Sequence, residues 1–459
     1  MILLISFYTY IILIIVISII FTILFGSLLR HHYQGGEKFK SLQKIAVFFA
    51  EIPSNIKFII THKTIDGDVI TSIDGLFHKD KELFTKKLSN SSNRDELILI
   101  SRHDGDLGRS IVEIRDLNTF EVIHSYLPNI ESIYKKIDFS KSEFDSLKKD
   151  IGINRFYMWH PIITSEGGLI FQSNSPLVKV DFNSKVIWIN DEDIFHHSIN
   201  TDHEGNIYVP SHKNPYSEKI IKYVGLEKLN EGHFFADDAI NILDKNGKIF
   251  FSKSVSEILI EHGFTHRIFA QEDYTSDPIH LNDIQPVLYD GPYYKKGDLF
   301  LSIRNLSMVI LYRPSSNKII KIIEGNFFNQ HDVDILDDEN ISIYNNNTYH
   351  NYKNERQINN NEILIYNFAT DSFSKKFDKT FKKYAINTGT HGLIDYLKDG
   401  SAIVEDRNNG RIFYLNSEGE VVWIFNNLDS KKQIYDLWWS RIISPEKSKK
   451  LRKLIMNQS

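Results

Sequence analysis

Five histidines in this sequence share one local setting. His160, His197, His331 and His391 are each followed seven to nine residues later by a Gly- or Asn-containing turn and an apolar strand: Gly167-Gly168-Leu169-Ile170, Gly205-Asn206-Ile207-Tyr208, Asn340-Ile341 and Gly400-Ser401-Ala402-Ile403. His280 opens a fifth copy, with a longer excursion before Gly297-Asp298-Leu299-Phe300-Leu301. A lone histidine is usually a satisfied structural residue. Imidazoles at equivalent positions of a repeat are different, because repeats that close around an axis bring them to one point, where a catalytic cluster can form. His280 and Asn282 alternate along a strand and so share a face. Arg304 ends the apolar run Leu299–Ile303, where a surface ion pair is a poor fit, and its planar fork of donors suits an oxyanion.

The elements that must position these residues are strands. An alternating strand, a short turn of Asn, Asp, Ser or Gly and a second strand recur six times: Ile111 to Tyr126, Leu177 to Asn190, Ile240 to Ser252, Met308 to Ile323, Ile363 to Phe377 and Ile412 to Phe425. The spacing, roughly 50 to 70 residues, exceeds that of a compact four-stranded blade, so several blades carry insertions. The pattern predicts an all-β chain, a six-bladed β-propeller whose histidine segments supply the front half of each blade. A pair of β-sandwiches is the alternative, and sandwiches seldom repeat a hairpin at this interval. Helical spacing in Asn129 to Lys149, and in Val255 to His262 with Gly263 as its cap, reads as surface insertions. The tail from Asp429 carries Trp438-Trp439 and a Lys/Arg-rich run, read either as a helix against the domain or bilayer or as a strap that closes the ring. The expected divisions are a transmembrane anchor over 1–29, a lead-in over 30–98, the propeller over 99–427 and a C-terminal extension over 428–459.

Composition narrows the classes further. The 459 residues carry a net charge of −5 with both signs mixed along the chain, which argues against a nucleic-acid surface. No cysteine is present, so disulfides, thiolate metal sites and a cysteine nucleophile are excluded. No Walker loop, Rossmann fingerprint, HExxH or GxSxG occurs. Met1 to Leu29 has no charged residue and exceeds the roughly 20 apolar residues that cross a bilayer. A cleaved signal peptide fits less well, for want of a basic leader and a small-x-small site. Arg30, Lys38, Lys40 and Lys44 follow the span, and the positive-inside rule taken alone would keep the body in the cytoplasm.

The residues resemble the arylsulfotransferase (arylsulfate sulfotransferase) family over about 99–427. The likeness lies in Phe195-His196-His197, in Asp237-Asp238 followed by Leu243-Asp244-Lys245-Asn246-Gly247-Lys248, and in Asp277-Pro278-Ile279-His280-Leu281-Asn282-Asp283. Gly297 to Asn305, with its Ser302-Ile303-Arg304-Asn305, and Gln330-His331-Asp332 complete it. The resemblance implies a six-bladed propeller that moves a sulfuryl group from an aryl sulfate donor to a phenolic acceptor, without nucleotide, metal or other cofactor. His331 is then the nucleophile that carries the group as sulfohistidine. His197 is the second histidine, favoured over His196 by its register with His331, and would act as the acid. His280, Asn282 and Arg304 fall on sulfate-site positions, and His391 and His196 join Asn282 as substrate contacts. The family's pattern includes a disulfide and lacks an anchor, whereas this chain shows the reverse. The resemblance places the body on the periplasmic or extracellular side, against the charge rule, and oligomeric state is left open.

Two other functions fit the same histidines. One is a metal-dependent propeller enzyme with histidine-bound iron, as in carotenoid-oxygenase-like proteins; Arg304 beside the cluster opposes it, since a fixed cation weakens cation binding. The other is a non-catalytic propeller that binds a ligand on its face.

Overall fold

The computed structural model describes residues 2–33, 38–61, 82–88, 94–138, 152–153, 156–173, 175–225, 234–270, 274–351, 353 and 355–456. The chain divides into two compact units, Met1–Val69 and Ile70–Ser459, with no division at 98 or at 427. The first holds the helices Ile2–Tyr33 and Lys40–Thr61. Phe7–His32 is long and apolar enough to cross a membrane, and none of it is buried within the protein.

The second unit is a six-bladed β-propeller of antiparallel sheets. Blade two runs outward from the axis through Trp159–Ile163, Leu169–Gln172, Leu177–Val180 and Val186–Asn190. Blade three follows with Asn200–Thr201, Ile207–His212, Asp238–Leu243 and Ile249–Ser254, and Ile194–Phe195 pairs beside it. Blade four is Leu281–Pro286, Leu299–Ile303, Met308–Arg313 and Lys318–Glu324. Blade five is Val333–Ile335, Asn340–Asn345, Glu362–Asn367 and Ser372–Lys376. Blade six is Leu393–Tyr396, Ala402–Asp406, Arg411–Leu415 and Val421–Asn426, edged by Phe84–Lys86. Every hairpin read from the sequence is the outer pair of a blade.

Blade one closes the ring. Its three outer strands, Leu97–Asp104, Arg109–Asp116 and Val122–Tyr126, come from the start of the unit, and its innermost strand, Arg441–Ile443, comes from the tail. Leu97 pairs with Ile443 and Leu99 with Arg441. The propeller therefore extends past 427, and the segment expected as an extension contains a blade strand. The helix Pro445–Met456 then lies back on the domain, with Leu451 buried between blades one and two, so both readings of the tail, strap and docked helix, describe part of it.

Strand alternation explains how the blades pack. Leu97 and Leu99 enter the apolar cluster shared with blade two, while Ile98 and Ile100 enter the one shared with blade six. Six such clusters fill the six spaces between neighbouring blades, as expected when successive side chains point to opposite faces of a sheet buried on both sides. The turns are tied locally. Oδ1 of Asp244 accepts from the backbone N–H groups of Asn246 and Lys248, and Gly247, at φ +83, sits where a Cβ would meet the Trp188 ring. Of the helical insertions, Val255–Glu261 is capped by Ser254 and followed by Gly263 at φ +82. Of the segment Asn129 to Lys149, the described residues form a helix over Ile130–Tyr134, and 139–151 lie outside the described residues. Blade five carries a small hairpin, Thr348–His350 with Arg356–Ile358, that sequence patterning did not reveal.

Candidate active site

The five histidines stand at the entrances to the innermost strands of blades two to six. His160 lies in Trp159–Ile163, and His197, His280, His331 and His391 precede the other four by one to three residues. His160, His197, His280 and His391 all have positive φ, between 48° and 59°, and Trp439, at the same place before the closing strand of blade one, has φ +84. Such backbone is uncommon for residues other than glycine and costs about 1–3 kcal/mol each when forced. A repeated left-handed residue at one level of the ring swings the side chain out of strand alternation and toward the axis. In blade five the left-handed residue is Asn329, two before His331.

The rings meet there. The His331 ring lies 5.7 Å from His197, 5.2 Å from His391, 6.3 Å from His160 and 5.3 Å from Trp439. His197 is 4.8 Å from His280 and 6.0 Å from His391. His331 is buried, and neither of its ring nitrogens has a hydrogen-bond partner. Burial, followed by His280, Arg304 and Arg407, holds it well below the ordinary histidine range. His160, His197 and His391 are lowered in the same way, burial first and neighbouring cationic or imidazole groups after it. The cluster is thus a set of neutral imidazoles in a positive surrounding, the electrostatic setting for an anion.

Backing groups distinguish the imidazoles. Nδ1 of His280 pairs with Oδ2 of Asp277 at 2.5 Å, which leaves Nε2 for the channel. His197 has no carboxylate partner of this kind; its Nδ1 lies 2.7 Å from Nδ1 of His196. His196 stands behind His197, almost fully buried, with Nε2 3.0 Å from Oδ1 of Asp238, so it is a supporting group and not a channel contact. Asn282 is also set back. Its amide donates to the carbonyl of Gln330 at 2.9 Å, so it braces the backbone before His331. Gln330 in turn donates to the carbonyl of Met308. Burial and then Arg356, opposed by Asp277, lower the Arg304 guanidinium to about 10.

Several residues of this site escaped the sequence reading. Arg407 is a second guanidinium beside His160, His331 and His391, held by the carbonyl of Leu437 and by Asp436. Tyr157 and Trp159 stack in parallel at 5.5 Å, Tyr157 also meets Trp438 at 4.7 Å, and Trp159 reaches the His391 ring at 6.0 Å. They form an aromatic wall next to the imidazoles. Further along the innermost strands, Asp283, Asp332, Asp334 and Asp395 interact with the half-buried Arg441 of the closing strand. Trp439 was detectable: Trp439-Ser440-Arg441 repeats the offset of His391-Gly392-Leu393 once the tail is counted as a blade strand.

A profile of the arylsulfotransferase (ASST) family matches residues 161–427, more than half of the chain. The chain belongs to the arylsulfotransferase family. The match spans most of blades two to six and includes His197, His280, His331 and His391 of the axial cluster, whereas His160, the arylsulfotransferase's closing strand and Trp439 lie outside it. No curated protein sequence matches the chain. Similar solved structures include a protein of unknown function from Bacteroides caccae, 11% identical, covering 76% of this chain and 98% of that one with a TM-score of 0.46. The Pan2 WD40 domain of Neurospora crassa is 11% identical, with 76% of each chain covered and a TM-score of 0.37. Virginiamycin B lyase from Staphylococcus aureus is 11% identical, with 58% of this chain and 69% of that one covered and a TM-score of 0.34.

Proposed function

We propose that this arylsulfotransferase moves a sulfuryl group from an aryl sulfate to a phenolic acceptor through a sulfohistidine on His331. The observation that carries the reading is a buried imidazole with both nitrogens unengaged, kept neutral beside two guanidiniums. A neutral imidazole is the nucleophilic form. One ring nitrogen of His331 attacks sulfur; the N–S bond forms as the S–O bond to the aryl group breaks, and the electron pair leaves on the phenolate oxygen. His280, with Asp277 behind it, supplies the proton to that oxygen. His197, expected from sequence as the acid, lacks a carboxylate partner, so it suits donation of a hydrogen bond to a sulfuryl oxygen, together with Arg304 and Arg407. In the second half-reaction the phenol gives its proton to His280 while its oxygen attacks sulfur, and the N–S bond breaks to restore His331. The aromatic wall of Tyr157 and Trp159 receives the aryl ring.

The helix Phe7–His32 anchors the enzyme in a membrane in this reading, with the propeller on the periplasmic or extracellular side, where sulfated phenols from outside the cell arrive. Incubation with an aryl sulfate in the absence of acceptor, followed by peptide mass spectrometry, should find one added sulfuryl group on His331, and His331→Ala should abolish both label and turnover. Turnover by a well-folded His331→Ala protein would refute the assignment. Asp277→Asn should slow poor leaving groups, such as unsubstituted phenyl sulfate, far more than nitrophenyl sulfate; equal slowing of both would remove His280 as the acid.

The rival metal reading draws on one observation: His197, His331 and His391 offer nitrogens within 4.8 Å of one another. Arg304 and Arg407 beside them disfavour a cation at that point.

A further inference from the structure

Behind the axial cluster, His196, His212 and Asp238 converge from three adjacent segments of blade three. Ile194–Phe195 pairs with Ile207–His212, which pairs with Asp238–Leu243, and His212 stands directly opposite Asp238 in the register. The backbone N–H of His196 is fixed to the carbonyl of Pro210 at 3.0 Å. The three side chains therefore rest on hydrogen-bonded sheet, a rigid base of the kind metal sites use.

Their polar atoms share one small volume. Nε2 of His196 is 3.0 Å and Nε2 of His212 3.4 Å from the same oxygen, Oδ1 of Asp238, and the ligand atoms of all three residues lie within 4.8 Å. Separations near 3.3 Å are what ligands at about 2.0–2.1 Å from a tetrahedral ion require. Orientation is the second observation. Nε2 of His196 and Oδ1 of Asp238 are buried without a hydrogen-bond partner despite being 3.0 Å apart, in residues only 5% and 1% exposed. Buried polar atoms that the protein leaves without a well-aligned partner call for another one, and an ion between them supplies it. The surrounding contacts fit as well. Oδ2 of Asp238 accepts the backbone N–H of Leu281 at 2.7 Å, leaving Oδ1 as the ligand atom. The other ring nitrogen of His196, Nδ1, meets His197 at 2.7 Å, as the outer nitrogen of a metal-bound imidazole regularly engages a partner. The partly exposed ring of His212 leaves access for a solvent ligand in the fourth position.

We infer that His196, His212 and Asp238 bind a divalent transition-metal cation of the zinc class, a structural site distinct from the sulfuryl-transfer cluster. A cation on Nε2 of His196 keeps that ring's proton on Nδ1, facing His197, which fixes the tautomer with the His197 proton on Nε2. Two imidazoles with one carboxylate also suit ferrous iron, and elemental analysis of the purified protein identifies which ion is carried.

The test uses the full chain in detergent, stripped with a chelator and titrated with Zn²⁺ by calorimetry and with Co²⁺ by visible absorption. One equivalent should bind, with the d–d bands of a four- or five-coordinate ion, and Zn²⁺ should raise the Tm. His212→Ala should weaken binding at least about tenfold and erase the Tm increase, and Asp238→Asn, which keeps an acceptor for Leu281, should do the same. His391→Ala should leave the equivalent in place. Absence of stoichiometric binding by the folded parent protein would overturn the inference, as would an ion that survives His212→Ala but is lost with His391→Ala, since that places it among the axial imidazoles.

Discussion

Replacing Arg304 with methionine keeps most of the side chain's apolar stem and removes the guanidinium. Burial, followed by Arg356, lowers that group from its ordinary value to about 10 against the opposing Asp277, and its side-chain hydrogen bond, 2.6 Å to Oδ1 of Asn305, is to a neutral amide. At about 1.4 kcal/mol per pH unit, holding the charge there costs roughly 3 kcal/mol, reduced to ~2 kcal/mol because part of the side chain reaches solvent. An anion seated against Arg304 recovers that cost, and ~2 kcal/mol is about 30-fold in rate. Charge that grows on the sulfuryl oxygens in the transition state adds to it, toward the 10²–10³ typical of a lost oxyanion donor. The expected loss in kcat/KM for Arg304→Met is therefore about 30- to 300-fold, with Arg304→Lys between, since it keeps a charge and loses the fork. Release of phenolate from a chromogenic aryl sulfate, with phenol as acceptor, measures it at matched Tm. A methionine variant within about threefold of the parent would show that Arg304 does not face the transferred group.

Three further outcomes follow from the same geometry. His331 attacks as the neutral ring and is held well below the ordinary range, so kcat/KM should survive acidification from pH 8 to 6 and decline only below that; an acid limb near pH 7 would contradict a nucleophile in this setting. Trp159→Ala should raise KM for aryl sulfates about five- to tenfold, ~1–1.5 kcal/mol of lost aromatic contact, with kcat nearly unchanged; a fall confined to kcat would place the aryl ring elsewhere. Arg441→Met removes the cation facing Asp283, raised to about 6 by burial, and Asp332 and Asp334, raised well above their usual range by burial and by neighbouring carboxylates. It should lower the Tm at pH 7, because these carboxyls lose the cation that favours their charged form. Carboxyls with raised folded pKa values bind more protons folded than unfolded, so their contribution is lost as pH rises and regained as it falls toward the unfolded value near 3.8. The Tm gap between Arg441→Met and the parent should accordingly narrow from pH 7 to pH 5, and a gap that widens would remove the acid cluster as its cause.

The outer hairpins were readable because each combines strict alternation with a turn whose chemistry is local, as at Asp244 to Gly247. Pairing between segments far apart is not written locally. Arg441–Ile443 is three residues long and joins a strand more than 300 positions away, so no window on the tail could separate strap from extension. The hairpin Thr348–His350 with Arg356–Ile358 was missed for a related reason: its exposed residues, Tyr349, Arg356 and Ile358 among them, bury no face and show no alternation.

For the site, register carried more information than residue type. Five histidines at similar places relative to their strands predicted a shared layer, and their rings do share it. The same register, extended to blade one, holds an indole at Trp439. That exception has a physical consequence: its ring is 4.3 Å from His160 and 5.3 Å from His331, closing one side of the cluster with an apolar wall where a sixth imidazole would have added another group able to take a proton. Depth was what the sequence could not express. His196 and His197 are neighbours in the chain, yet one is enclosed with Asp238 and the other faces the channel. Which does which depends on the left-handed backbone at His197, a conformation that histidine side-chain chemistry does not require and that only the closed ring of strands imposes.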